Sequence, residues 1–181
     1  MEIMNGGKAL MKALEKEGVK QVFGLPGGAN LPMYDELYKS NIRHILVRHE
    51  QSAAHMADGF GRVSRKPGVC FATSGPGSTN LLTGIATAQA DSAPMIAVTG
   101  QVPVKMIGRD AFQESDIIGM SNPCVKYAFQ PRTPEEIPEM VKKGFYIAET
   151  GRPGPVLLDI PKDVQQNESE ITFPEEVRIP G

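Results

Sequence analysis

Glu50 is the residue around which chemistry could be built. It follows the strand-like run from Ile42 to Val47 and opens a stretch rich in small residues: Ala53, Ala54, Ala57, Gly59 and Gly61. Small side chains let a helix pack closely, so its first turn should be enclosed, where an ionised and unpaired carboxyl is costly. Such a carboxyl is suited to holding or passing a proton. The plainer alternative is a helix-opening glutamate favoured by the helix dipole. His49 and His55 flank Glu50 in His49-Glu-Gln-Ser-Ala-Ala-His55. Helical zinc sites of that type place their histidines at i and i+4, and this spacing is wider, so no metal is expected here. Two Gly-rich turns, Pro26-Gly-Gly-Ala29 and Ser74-Gly-Pro-Gly77, accompany the glutamate. Glycines let backbone approach a ligand, and a helix start offers free N–H donors. Either turn could equally be a plain tight turn. Neither fits G-x-G-x-x-G or G-x-x-x-x-G-K-[ST], so a nucleotide reading loses its usual support.

Alternating strands and helices must position these residues. Helical spacing is expected over Lys8–Glu17, closed by Gly18, and over Leu31–Tyr38 with Asn30 as its cap. Further helices are expected over Glu50–Val63, from the second Gly-rich turn to about Gln89, and over Pro134–Ile147. Strands are expected over Val19–Leu25, Ile42–Val47, Val69–Thr73, Met95–Thr99 and Val156–Ile160. Runs of Val, Ile and Leu without polar alternation, joined by helices, indicate a parallel sheet covered on both faces. The expected fold class is therefore α/β, a three-layer α/β/α domain with a mainly parallel sheet. In such sheets ligands gather at the carboxyl ends of the strands, where both Gly-rich turns and Arg48-His-Glu50 fall. Residues 101–126 show weak periodicity and many polar residues, as a functional or disordered loop would. The polar, Pro-containing tail reads as a linker over 165–181, leaving a domain over 1–164.

Composition narrows the classes. The 181 residues carry 19 Lys plus Arg against 21 Asp plus Glu, a formal net charge of −2. That balance argues against a nucleic-acid binder or a basic membrane-surface protein. Gly and Pro are abundant but sit at punctuation points without repeating, which excludes collagen and wholesale disorder. Two cysteines make no disulfide framework; Cys70 and Cys124 are expected to be buried reduced thiols. No apolar stretch approaches the roughly 20 residues of a membrane span. No secretory signal precedes the first helix, so a cytoplasmic location is expected.

Taken together, the motifs carry a family resemblance. Arg48-His-Glu-Gln-Ser-Ala-Ala-His-Met-Ala-Asp-Gly-Phe-Gly-Arg62 resembles the glutamate-bearing segment of thiamine-diphosphate enzymes. Thr73-Ser-Gly-Pro-Gly-Ser-Thr-Asn-Leu-Leu-Thr-Gly-Ile-Ala-Thr-Ala88 resembles the next block of their pyrimidine-binding domain. Val98-Thr-Gly-Gln-Val-Pro103, Asp110-Ala-Phe-Gln-Glu114 and Arg152-Pro-Gly-Pro-Val-Leu-Leu-Asp-Ile-Pro-Lys-Asp163 are similar to the catalytic large subunits of the acetolactate synthase (acetohydroxyacid synthase) family. The similarity runs from about Gly6 to Asp163.

The resemblance implies site roles. Glu50 would hydrogen-bond the pyrimidine nitrogen N1′ and promote the imino tautomer that removes the cofactor's C2 proton. Gly27, Gly28 and Ala29 would line the cofactor, with Gly75, Pro76 and Asn80 from the second turn. Gln113 would face the reacting centre, Phe112 would supply an apolar wall, and Lys162 would lie near the substrate entrance. Arg152 matches a position that contacts FAD, which takes no net redox part. Arg109 stands where the family more often has a small hydroxyl residue. The implied reaction decarboxylates pyruvate and adds the hydroxyethyl carbanion to pyruvate or 2-oxobutyrate, leading to valine, leucine and isoleucine. The implied assembly is a homodimer or higher homo-oligomer; whether a small regulatory subunit joins it is left open by the sequence.

Larger members hold Mg2+ and the diphosphate through a Gly-Asp-Gly segment, which does not occur here. The chain is therefore expected to be the N-terminal domain of a longer subunit, inactive alone, with Val177–Gly181 starting a linker into a middle domain. Other readings stay open. One is a stand-alone subunit of a split decarboxylase such as sulfopyruvate decarboxylase. Another is a relative such as glyoxylate carboligase or pyruvate oxidase, and a third is a non-catalytic nucleotide-binding module.

Overall fold

A computed structural model describes residues 2–177 and Ile179. The main sheet has six strands, all parallel, in the order β3-β2-β4-β5-β7-β6. Its strands are β2 (Gln21–Gly24), β3 (Arg43–Leu46), β4 (Gly68–Ala72), β5 (Met95–Gln101), β6 (Tyr127–Phe129) and β7 (Pro155–Pro161). The interior neighbours β5 and β7 are buried at every position, which is why they show no polar alternation. Successive side chains instead go to two different cores. Val22, Phe71, Ile96, Val98, Val156 and Leu158 join one cluster with Leu10, Met33 and Phe145. Phe23, Cys70, Met95, Ala97 and Leu157 join the other with Ala54, Ala57 and Ile85.

The first core lies under α1 (Gly6–Lys16), α2 (Leu31–Lys39) and α7 (Ile137–Glu149), with the short α8 (Lys162–Gln166) beside them. The second lies under α3 (Glu50–Ser64) and α5 (Leu82–Asp91), preceded by the one-turn α4 (Pro76–Asn80) and joined by α6 (Ile117–Ser121). The result is the expected three-layer α/β/α arrangement. The small residues of α3 act as anticipated: Ala53, Ala54 and Ala57 are fully buried, and Gly84 of α5 lies against the Cβ of Ala54. That close approach draws the start of α3 into the structure and leaves Glu50 only 8% exposed.

Several expectations need correction. The chain does not leave the domain at Gln165. Gln165 is 1% exposed within α8, and β8 (Glu168–Ile171) returns to pair antiparallel with β1 (Glu2–Asn5), Glu2 opposite Ile171. Glu168-Ser-Glu-Ile looks like linker because a two-stranded ribbon buries only one face, here through Ile171 and Met4 with Ala9. The proposed linker start at Val177–Gly181 falls partly outside the described residues. Asn30 does not cap α2 with its side chain; it is fully buried and closes the preceding turn instead. Residues 101–126 are not structureless, since Ile117 and Val125 anchor α6 and the one-turn helix that follows it, Asn122–Cys124, in the second core. Cys70 is buried, its thiol pushed up to about 12 by desolvation, whereas Cys124 is half-buried. Among the described residues, no helix is long and apolar enough to cross a membrane.

Candidate functional site

From β2 the chain moves to β3 on one side and then to β4 on the other. The direction of winding therefore reverses between β2 and β4, where open α/β sheets form a ligand crevice beyond the strand ends. The loops after these two strands meet there. Asn30 staples the first loop: its Oδ1 accepts from the Gly27 amide at 2.7 Å and its Nδ2 donates to the Leu25 carbonyl at 3.3 Å. The Ala29 amide then donates to Thr73 Oγ1 of the second loop at 3.0 Å. A Cβ on Gly27 would lie 2.6 Å from Thr73 Cγ2, so the loops meet only because Gly27 has no side chain. A Cβ on Gly28 would meet nothing within 4 Å, so this glycine faces open space.

Glu50 enters the same crevice from the β3–α3 turn, where the His49 ring caps α3 by accepting from the Gln51 amide at 3.2 Å. Its Oε2 accepts from Asn80 Nδ2 of α4 at 2.9 Å. Its Oε1 lies 3.2 Å from where a Cβ on Gly77 would stand. One carboxylate oxygen is thus fixed by an amide, and the other is turned toward the Gly-rich turn. Pro76 is exposed at the first position of α4.

Gly75 begins that turn at φ 57° and ψ −120°. Its missing Cβ would stand 2.5 Å from the Gln113 carbonyl oxygen, so the loop after β5 rests directly on it. Gln113 and Asp110 hold left-handed backbone, φ 55° and 53°, which is strained for residues with a Cβ. Glu114 folds this loop on itself by accepting from the Gly108 amide and, at 2.8 Å, from the Ala111 amide. Those backbone donors, Ala111 first, hold its carboxyl below the usual range. Phe112 is 88% exposed at the tip. Its apolar wall would have to face a surface that this chain does not itself provide.

Lys162 opens α8 at the carboxyl end of β7, half-buried and on the same edge of the sheet. Its neighbours tie α8 to the crevice: Gln165 Nε2 donates to the Ala29 carbonyl at 2.8 Å, and Asp163 accepts from the Val104 amide at 3.0 Å. The structure does not bring Arg152 to this site. Arg152 precedes β7, at the opposite end of the sheet, with Nε donating to Ser92 Oγ at 2.7 Å and Nη2 to the Gln89 and Ala90 carbonyls at 3.1 and 3.0 Å. It thus closes the carboxyl end of α5. Arg152→Ala should cost about 1 kcal/mol, read as a lowered melting temperature. Amide exchange around Glu50 should stay as in the parent.

Asp159 was missed by the sequence reading. It is fully buried on β7 and accepts from Thr99 Oγ1 at 2.7 Å, Gln101 Nε2 at 3.0 Å and Gln130 Nε2 at 2.8 Å. Desolvation pushes its carboxyl up to about 6, and Asp116 adds in the same direction against those three donors. The available signal was a charged residue inside the apolar run Val156-Leu-Leu-Asp-Ile160. Because the native state holds this proton more tightly than the unfolded chain does, Asp159 makes stability fall as pH rises from about 4 to about 6. Asp159→Asn should remove that component, so the difference between parent and variant melting temperatures should change across this window. A difference independent of pH would contradict it.

Comparison with known proteins bears on this geometry. The profile of the family described as "Thiamine pyrophosphate enzyme, N-terminal TPP binding domain" matches residues 4–120. The chain is 61% identical over 181 residues to the "Probable acetolactate synthase large subunit" of Methanocaldococcus jannaschii, covering 98% of this chain and 31% of that protein. It is 52% identical over 181 residues to the "Acetolactate synthase large subunit" of Corynebacterium glutamicum, covering 99% of this chain and 29% of that one. The chain therefore spans less than a third of the length of these relatives.

Proposed function

Because the chain belongs to the thiamine pyrophosphate enzymes, as their N-terminal cofactor-binding domain, we propose that it is the part of an acetolactate synthase that activates the cofactor. The cofactor, also called thiamine diphosphate, supplies the electron sink for decarboxylating a 2-oxo acid. The observation that carries the reading is the Glu50 carboxyl at the crevice, Oε2 held by Asn80 and Oε1 turned to the Gly-rich turn. The residues fit the aminopyrimidine end of the cofactor. A carboxyl oxygen suits a ring nitrogen, and Gly27, Gly28, Ala29, Gly75 and Pro76 are backbone that a flat ring can approach.

Asn80 sets the carboxyl's orientation, so Oε1 is the atom that would hold a proton against the ring nitrogen. Gln113 would offer its amide to the substrate, Phe112 would exclude water once covered, and Lys162 would meet the carboxylate of an incoming 2-oxo acid at the rim. The residues do not fit a metal: among those described, no group of three or more His, Cys, Asp or Glu could hold one. In the reading the resemblance implies, Mg2+ and the diphosphate would be held by a further domain of the full-length subunit. FAD likewise belongs to the proposal for that subunit. Here its one matching residue, Arg152, has Nε and Nη2 engaged with α5, and no step is routed through it.

Pyruvate would be the donor, and pyruvate or 2-oxobutyrate the acceptor, in branched-chain amino-acid synthesis. The open face at Gly28 and Phe112 supports a homodimer or larger homo-oligomer in which another domain closes the crevice. A cytoplasmic location completes the reading. The test is product analysis. The full-length subunit carrying this domain, given pyruvate, Mg2+ and thiamine diphosphate, should release CO2 and form acetolactate. Release of CO2 with acetaldehyde alone, or turnover of sulfopyruvate instead, would overturn it.

A further inference from the structure

Stability does not explain a carboxyl at position 159. Its three hydrogen-bond donors are neutral, and a buried carboxyl without a cation is costly where an apolar residue would not be. What the carboxyl does is orient an amide. Gln101 directs one N–H of Nε2 to Asp159 Oδ2 and the other, at 3.1 Å, to the Ser115 carbonyl, while its Oε1 accepts from the Val102 amide at 2.9 Å. A carboxylate only accepts, so it forces the NH2 end of Gln101 inward and thereby toward Ser115. With an apolar residue at 159 one N–H of Gln101 would be left unpaired in the core, and the amide would be held only by Val102 and Ser115.

Ser115 is where the loop carrying Gln113 returns to the protein. Its Oγ lies 3.2 Å from Ser78 Oγ, and Ser78 in turn donates to the Gly75 carbonyl at 2.9 Å. Two residues earlier, the Gln113 carbonyl rests on Gly75. The left-handed backbone at Asp110 and Gln113 persists only where surrounding structure over-determines it. Other holds on the loop are Asp163 at its start, Glu114 within it and, just past Ser115, the buried Ile117, whose amide also donates to the Ser115 carbonyl at 2.9 Å; Gln101 is the side chain that links that carbonyl to β5.

We propose that Asp159 is a positioning residue which, through the amide of Gln101, fixes the Ser115 carbonyl and so sets where Gln113 stands against the Gly75 turn. Its consequence for catalysis rests on the reading of Gln113 as a site residue. The hold on the loop does not. Protonation leaves the arrangement intact, because a proton on Oδ1 can be donated to Thr99 Oγ1 while Oδ2 still accepts from both glutamines. Asparagine can do the same with its amide.

The test is amide hydrogen exchange at Gly108, Ala111 and Glu114, compared with β5 and β7, in the parent chain and three variants. Gln101→Met should speed exchange in the loop about tenfold or more while the strands stay protected. Asp159→Leu should do likewise, and Asp159→Asn should stay near the parent. If Asp159→Leu fails to fold, Gln101→Met carries the test alone. Parent-like loop exchange in Gln101→Met would overturn the proposal, as would Asp159→Asn exchanging as fast as Asp159→Leu. Exchange does not need bound cofactor. Failure of the functional reading would show separately, as absence of thiamine diphosphate binding to the full-length subunit.

Discussion

Glu50→Gln in the full-length subunit should slow exchange of the C2 proton of bound thiamine diphosphate by about 10²-fold or more, the usual contribution of a positioned acid–base group. The substitution is nearly isosteric, and the glutamine oxygen can still accept from Asn80, as Oε2 does now at 2.9 Å. At the other position an NH2 replaces Oε1, beside Gly77. That group can donate a hydrogen bond but cannot take up or release a proton. Folding should change little, because the substitution keeps the size of the side chain and its hydrogen bond from Asn80. Exchange measured by NMR after acid quench separates this step from later ones. Parent-like exchange would remove Glu50 from its assigned role, and a collapse of the melting temperature would show that the residue is structural.

Gly75→Ala should have a large effect, because a strained backbone and a clash with backbone coincide there. The position has φ 57° and ψ −120°, a region costing residues with a Cβ about 1–3 kcal/mol. The new methyl would also stand 2.5, 2.9 and 3.0 Å from the carbonyl oxygen, carbonyl carbon and Cα of Gln113. All three are backbone atoms, so relief requires moving the whole loop. Both terms fall on a native state whose net stability is only about 5–15 kcal/mol. The expected result is a folded chain of clearly lowered melting temperature, with amides of the loop around Gln113 losing protection before those of β5. In the full-length subunit thiamine diphosphate affinity should fall with it. Gly28→Ala is the control, because its Cβ meets nothing within 4 Å. It should leave stability unchanged. Equal melting temperatures for Gly75→Ala and the parent would contradict the observed loop contact.

Much of the fold was legible because its signals are local. The unalternating runs at β4, β5 and β7 announce strands buried on both faces, and the small residues after Glu50 announce a helix packed closely enough to enclose that carboxyl. The elements that escaped are those whose local pattern is weak. β6 is an edge strand of three residues. β1 and β8 bury so little that Glu168-Ser-Glu-Ile reads as tail. α6 is one turn held by Ile117 inside a polar stretch. For each of these, tertiary pairing outweighs propensity.

The sequence by itself determined the layered α/β class, the placement of Glu50 at a strand-to-helix turn, and the two Gly-rich turns that make a crevice possible. Only the tertiary structure decided which of these groups touch. Glu50 meets Asn80 across 30 positions of sequence, and Asp159 gathers Gln130, Gln101 and Thr99 across 29, 58 and 60. It also carried Arg152 to the far end of the sheet and brought Glu168–Ile171 back onto β1. The physical reason is that periodicity and turn chemistry act over a few residues. A hydrogen bond between distant side chains exists only once strand order and register have made their backbones neighbours.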